Sequence, residues 1–328
     1  MNKRTRGFRL IALCALCTCL LLAIAGCTSS SGSTNAVSSK SIAKFSVADK
    51  PIDRIDYTEP FYLLVVGNDT RKGTVEIKDP DYADGNARSD TMMLVRIDPK
   101  EYKVTLVTIP RDTAATVDGH TAKINNSYRY HGMEGLLSQV KELTGVRPTF
   151  YFDMTFVQYE NFVNGLGGVD AYVPTDMSLQ DIVGGDNIKL TEGEHHLNGA
   201  EALVLARMRK IYKEDMEAVR QINDRNLVAA GITFVANHPE IVDTACDILV
   251  ENSSTNWNAK DLKVLVADFA KNADKIEILS GTGPYTGDIE DGTWLATRDE
   301  GTWSELMTVV DKGGDPTSVV DLPKLVVD

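Results

Sequence analysis

FYLLVVG (61–67), TMMLVRI (91–97) and VTLVTI (104–109) are three short apolar runs, each bounded by turn-forming residues, and each predicts a buried strand. DPKEYK separates the second from the third, and its Asp98-Pro99 supplies a tight turn, so those two should pair as a hairpin. If 61–67 runs opposite to 91–97, the end of the first strand, the start of the second and the end of the third meet at one sheet edge. Those places hold Asp69 and Arg71 (GNDTR), Arg88 and Asp90 (ARSDT), and Arg111 and Asp112 (PRDT). Carboxylates and guanidinium groups then converge without a helix to bring them together.

Outward from these strands, GMEGLLSQVKELTG (132–145) spaces Met133, Leu136, Leu137, Val140 and Leu143 as one face of an amphipathic helix stopped by glycine. TFYFDMTF (149–156) reads as a strand, FVQYENFVNGLGG (156–168) as a helix, and GVDAYVP (168–174) as a strand closed by proline. NGAEALVLARMRK (198–210) begins with an Asn cap, and RNLVAAGITFVANHP (225–239) is a long apolar helix halted at His238-Pro239. Further on, DLKVLVADFAKN (261–272) and WSELMTVVDKG (303–313) predict helices, and KIEILSG (275–281) and TWLATR (293–298) predict strands. Strands mixed with amphipathic helices, one run of them a hairpin, imply an α/β sandwich with a mixed sheet between helical layers.

The chain has 328 residues and is 43% apolar, enough for a packed core, which excludes disorder along the whole length. Its first residues read as an export signal: basic KRTRGFR (3–9), an uncharged apolar run from Leu10 to Ala25, then Gly26-Cys27. Ile24-Ala25-Gly26-Cys27 resembles a lipobox with Cys27 as the lipidated residue; an uncleaved signal anchor is the alternative. Losing the four cations Lys3, Arg4, Arg6 and Arg9 with a leader takes the net charge from −13 to −17, and a body this acidic argues against nucleic acid as a partner. Residues 28–56 turn to Ser, Thr, Lys and Asp, the profile of a flexible tether. With Cys14, Cys17 and Cys19 in the leader, Cys246 is left alone in the body, so neither an internal disulfide nor a zinc pair is expected.

The clustered Asp and Arg side chains suit a diphosphate ligand. Mg²⁺ binds through one or two carboxylates plus substrate phosphates, and arginine forks match phosphate oxygens. Surface ion pairs and turn caps are the competing explanation. A second basic group comprises Arg207, Arg209 and Lys210, with Arg220 and Arg225 beyond. On a continuous helix Arg207 and Arg209 would point about 200° apart, so a shared site requires the helix to end or loosen near Met208. His195-His196 (TEGEHHLNG) reads as a surface loop rather than a metal site, and GLGG (165–168) as a helix stop.

LLVVGNDTR, ARSDTMMLVRIDP, VTLVTIPRDT, AKINNSYRYHGMEGLLSQVKELTG, NFVNGLGGVDAYVP and LTEGEHHLNGAEALVLARMR occur in that order, and over roughly residues 60–230 the chain resembles the LytR-CpsA-Psr domain. The resemblance implies a three-layer α/β/α sandwich with a mixed central sheet, a hydrophobic pocket for a polyprenyl chain and a cationic mouth for its pyrophosphate. It places that catalytic domain at 57–240, with 241–328 as its C-terminal part or a small appended subdomain. By position, Asp69 and Asp90 match magnesium-binding carboxylates, and Arg88, Arg111, Arg207 and Arg209 match arginines on the pyrophosphate. Arg71, Lys123, Arg220, Gln221 and Arg225 are secondary pyrophosphate candidates, and Asp112 and Asn125 also fall in motif positions. The family's acidic residue and R-x-x-R-Q segment correspond here to EDMEAVRQINDRN (214–226), where either Arg220-Gln221 or Arg225-Asn226 can be aligned.

The implied activity is Mg²⁺-dependent transfer of a glycopolymer from a polyprenyl pyrophosphate carrier to peptidoglycan, on the outer face of the membrane to which the N-terminus anchors the chain. Hydrolysis of the carrier pyrophosphate, or binding without turnover, are the alternatives.

Overall fold

The computed structural model describes residues 57–77, 86–213 and 216–325. The leader, Cys27 and the tether lie outside them; among the described residues no helix is long and apolar enough to cross a membrane.

The first three apolar runs form β1 (Phe61–Asn68), β2 (Ser89–Asp98) and β3 (Lys103–Thr108). β1 lies antiparallel to β2 and β2 antiparallel to β3, so the strand direction assumed for 61–67 is the one adopted. A small hairpin of β4 (Ala114–Val117) and β5 (His120–Lys123) leads into α1 (Asn125–Thr144), which starts earlier than its apolar spacing suggests. At Gly132 the backbone takes φ 61°, ψ −156°, a kink that joins a polar first turn to the amphipathic helix read from 132 onward.

β6 (Phe150–Met154) is parallel to β1, and α2 (Phe156–Leu166) follows, closed by a capping box at Thr155 and by left-handed Gly167. β7 (Val169–Val173), β8 (Met177–Gln180), β9 (Asn187–Leu190) and β10 (Gly193–Leu197) build two antiparallel two-stranded sheets, the β8–β9 hairpin lying in sequence between the paired strands β7 and β10. His195-His196 therefore lies in a strand, not a loop. β10 pairs with β7, and Asp170 accepts a 2.7 Å hydrogen bond from the exposed His196 ring.

α3 (Gly199–Arg207) and α4 (Met216–Asn237) follow. The apolar pattern shows only the second half of α4, because Arg220, Gln221, Asn223 and Asp224 in its first half are buried polar residues. The remainder comprises α5 (Val242–Glu251), β11 (Ser254–Thr255), α6 (Ala259–Lys271), β12 (Glu277–Thr282), the hairpin β13 (Gly287–Glu290) and β14 (Thr293–Ala296), and α7 (Glu300–Asp311).

The main sheet runs β11-β6-β1-β2-β3-β12, with β12 parallel to β3, so residues beyond 240 supply an edge of the same sheet. Alternation along β1 sends Tyr62, Leu64 and Val66 to one face, where α1 and α7 cover them, and Leu63 and Val65 to the other, facing α4, α5 and α6. Two helical layers around a mixed sheet give the three-layer α/β/α arrangement.

Trp303 of α7 is fully buried in the first layer, and a Cβ on Gly283 would sit 2.1 Å from its ring. Trp303→Ala should lower the stability of the domain by about 3–5 kcal/mol, read as a reduced denaturation midpoint in urea.

Candidate active site

The antiparallel order places the end of β1, the start of β2 and the end of β3 together, and a shift in β1–β2 register between Gly67 and Asn68 lets the chain turn away after β1. Asn68 anchors that turn: its Nδ2 donates to Asp153 at 2.8 Å and its Oδ1 accepts from the Thr70 amide at 3.2 Å. Asp69 and Arg88 are latched through the backbone. The Asp69 amide donates to the Arg88 carbonyl at 3.1 Å, and the Arg88 amide donates to Asp69 Oδ1 at 2.6 Å. Burial pushes the Asp69 carboxyl above its ordinary range against that amide hydrogen bond, and the neighbouring Asp90 charge adds to the rise.

Arg111 reaches Asp90 at 2.9 Å and Glu217 at 3.3 Å, Lys123 pairs with Asp112 at 2.6 Å, and Asn125 donates to Asp90 at 3.4 Å. Arg71 Nη1 donates to the Asp69 carbonyl at 3.1 Å. Arg88 makes no ion pair among the described residues, and with Asp69, Asp90, Arg71, Arg111, Lys123 and Asn125 it lines one cavity of about 1390 Å³.

α3 ends where a shared site requires. Met208 has ψ 129°, an extended conformation, so Arg207 closes the helix and Arg209 leaves it, and both line the same cavity. Arg207 donates to the Gln180 carbonyl at 3.3 Å, and Arg209 approaches Glu217 at 3.8 Å. Arg220 is buried against Asp224 at 2.7 Å, Thr91 at 3.0 Å and the Asp90 carbonyl at 2.8 Å.

Gln221 and Arg225 are absent from the lining. Arg225 is 1% exposed, donates to Thr108 at 2.6 Å and Ser280 at 2.9 Å, and has its pKa pushed down to about 10 by burial. Of the two arginines that EDMEAVRQINDRN offers, Arg220 faces the site and Arg225 ties α4 to β3 and β12.

Glu217, which the sequence reading did not single out, sits among Arg111, Arg209 and Arg220. Its only sequence signal is position, one acidic residue three before Arg220 on the same helix.

Away from this charged rim the cavity is apolar. Val65, Met93 and Val95 form its sheet wall, Tyr159, Phe162 and Leu166 come from α2, Val228 and Ile232 from α4, and Leu265 and Phe269 from α6. Cys246 of α5 also lines it as a buried free thiol, with burial raising its pKa to about 11. Among the described residues there is no group of three or more His, Cys, Asp or Glu side chains able to hold a metal.

Burial alone would raise the Glu217 carboxyl, but Arg220, Arg111 and Arg209 outweigh it and hold it below the ordinary range. Its contribution to stability is therefore fully present above the ordinary value of 4.5 and is lost as pH falls through its lower folded value. Glu217→Gln should cost about 3 kcal/mol at pH 7 by stripping a buried partner from the arginines. It should also flatten the acid limb of a plot of unfolding free energy against pH.

The sequence profile of the LytR_cpsA_psr family matches residues 22–311. The chain is 29% identical over 235 residues to the polyisoprenyl-teichoic acid–peptidoglycan teichoic acid transferase TagV of Bacillus subtilis (strain 168), covering 69% of this chain and 57% of that protein. Against the transferase TagT of the same strain it is 27% identical over 245 residues, covering 72% and 73% of the two chains. The crystal structure of B. subtilis TagV superposes with a TM-score of 0.63 at 26% identity, over 81% of this chain and 99% of that one. TagT bound to LI-WTA shares the fold, with a TM-score of 0.59 at 23% identity over 82% and 94% of the two chains. With the profile spanning most of its length and the fold shared, this chain belongs to the LytR-CpsA-Psr family.

Proposed function

We propose that this protein is a phosphotransferase that moves a glycopolymer from a polyprenyl pyrophosphate carrier to peptidoglycan. The observation that carries this reading is the continuity of the cavity: a rim of arginines, lysine and aspartates opens directly into an apolar interior between the sheet and the helices. A polyprenyl chain can lose water contact along the interior while its two phosphates stay at the charged rim. The names of TagV and TagT support it, since both are transferases of teichoic acid to peptidoglycan.

In the proposed reaction a sugar hydroxyl of the acceptor attacks the glycopolymer-side phosphorus. A new O–P bond forms, the P–O bond to the bridging oxygen breaks, and polyprenyl phosphate leaves while the hydroxyl proton passes to a base. Arg88, Arg111, Arg207 and Arg209 are the groups available to bind and orient the diphosphate and to meet the charge that develops on it, while Arg220, its donors taken by Glu217, Thr91, Asp224 and the Asp90 carbonyl, holds the rim in place behind them. Asp69 and Asp90 fit a magnesium ion, because hard oxygen donors in that number are what Mg²⁺ takes from a protein when phosphates complete its shell. When bound, the ion would neutralise phosphate charge. The leader, through Cys27 or as an uncleaved anchor, would hold the domain at the outer face of the membrane.

The test is to incubate the domain with Mg²⁺ and a lipid-linked glycan, with and without peptidoglycan. Release of polyprenyl phosphate only when the acceptor is present is the expected result. Release without acceptor would mean hydrolysis, and no release would mean binding alone. Arg111→Ala should lower the rate by about 10³-fold or more while the protein stays folded by circular dichroism.

A further inference from the structure

α2 begins where the cavity changes character. Thr155 caps the helix and sets Phe156 at its first position, and Phe156, Tyr159, Val163 and Leu166 then line the cavity from the rim inward along one helix face. The guanidinium carbons of both Arg71 and Arg207 lie over the Phe156 ring, each 5.2 Å from its centroid. Two like charges are thereby kept no farther apart than twice that distance. Each is also tethered elsewhere, Arg71 to the Asp69 carbonyl and to Glu76 at 3.1 Å, and Arg207 to the Gln180 carbonyl at 3.3 Å. An aromatic face attracts a cation most strongly where water is excluded, so the ring offsets part of the repulsion between the two arginines.

We propose that Phe156 is a specificity-determining positioning residue: its ring holds Arg71 and Arg207 as a pair suited to two linked phosphates and marks where the lipid chain begins. A monophosphate offers both guanidiniums the oxygens of a single phosphorus, whereas a diphosphate presents a separate phosphate to each. The ring therefore selects for a prenyl diphosphate over a prenyl monophosphate, which lets the spent carrier leave. This inference rests on the reading above that the cavity takes a prenyl diphosphate.

The test uses the full chain in detergent with Mg²⁺, titrated calorimetrically with geranylgeranyl diphosphate and geranylgeranyl monophosphate. Phe156→Leu keeps apolar bulk and removes the ring; Phe156→Tyr restores it. The Leu variant should lose about tenfold in diphosphate affinity and change little toward the monophosphate, and the Tyr variant should return to within about twofold of the unsubstituted protein. Equal losses for both ligands, an unchanged diphosphate-to-monophosphate ratio, or no recovery with Tyr would overturn the proposal. Thermal unfolding of each variant separates these results from misfolding, and Phe156→Met, a second ring-free variant with the same expected loss, keeps the test decisive if the Leu variant does not fold. Should the unsubstituted protein bind neither ligand, the prenyl diphosphate reading fails and this inference with it. That outcome is visible before any substitution is made.

Discussion

A guanidinium group sealed from water has to be met by charge and hydrogen bonds, and Arg220 sets the geometry of the site by meeting that demand. Its partners come from two places: Glu217 and Asp224 on its own helix, and Thr91 and the Asp90 carbonyl on β2. The node pins the polar half of α4 against the start of β2. Glu217 is carried under Arg111 as a result, and the apolar half of the same helix is laid along the cavity. Charged rim and apolar interior are thus two ends of one helix, fixed in register by Arg220 at β2 and by Arg225 at β3 and β12.

The balance of charge follows from the same arrangement. The chain is acidic overall, yet its arginines gather at the cavity rim beside carboxylates that keep them from repelling one another. Asp90 and Glu217 both answer Arg111, and Asp112 answers Lys123. An anionic ligand arriving there competes with these internal pairs at Arg111 and Lys123, while Arg88 meets it with no ion pair to give up among the described residues. Selectivity then depends on how well its oxygens fit the arginine forks more than on attraction at long range.

Much of this was legible in the residues. β-Branched runs and an Asp-Pro turn give the first three strands, and once the first is assumed to run opposite to the second, the strand ends place Asp69, Asp90, Arg88 and Arg111 together. The break at Met208 follows from asking how Arg207 and Arg209 could share a site. Other features lacked a local signal. The first half of α4 buries polar side chains, so its sequence shows no apolar period, and the choice between Arg220 and Arg225 depends on which side of the helix meets β2. His195-His196 looks like loop because its strand is exposed on the alternate positions and pairs in a small sheet of its own. Glu217 gains its role from Arg111 and Arg209, brought in from separate segments, and from Arg220 one turn along its own helix.

The pairing of β12 with β3 joins Glu277–Thr282 to Lys103–Thr108 across most of the domain's length. Contacts so distant along the chain raise the contact order, and such topologies close slowly because long loops must be ordered before the pairing rewards them. During synthesis from the N-terminus, β1, β2 and β3 exist well before their sheet can be finished. Until residue 282 is available the free edge of β3 offers a row of unpaired amides and carbonyls to any neighbouring strand. A fragment that stops short of β12 therefore carries an aggregation hazard that the full-length chain hides.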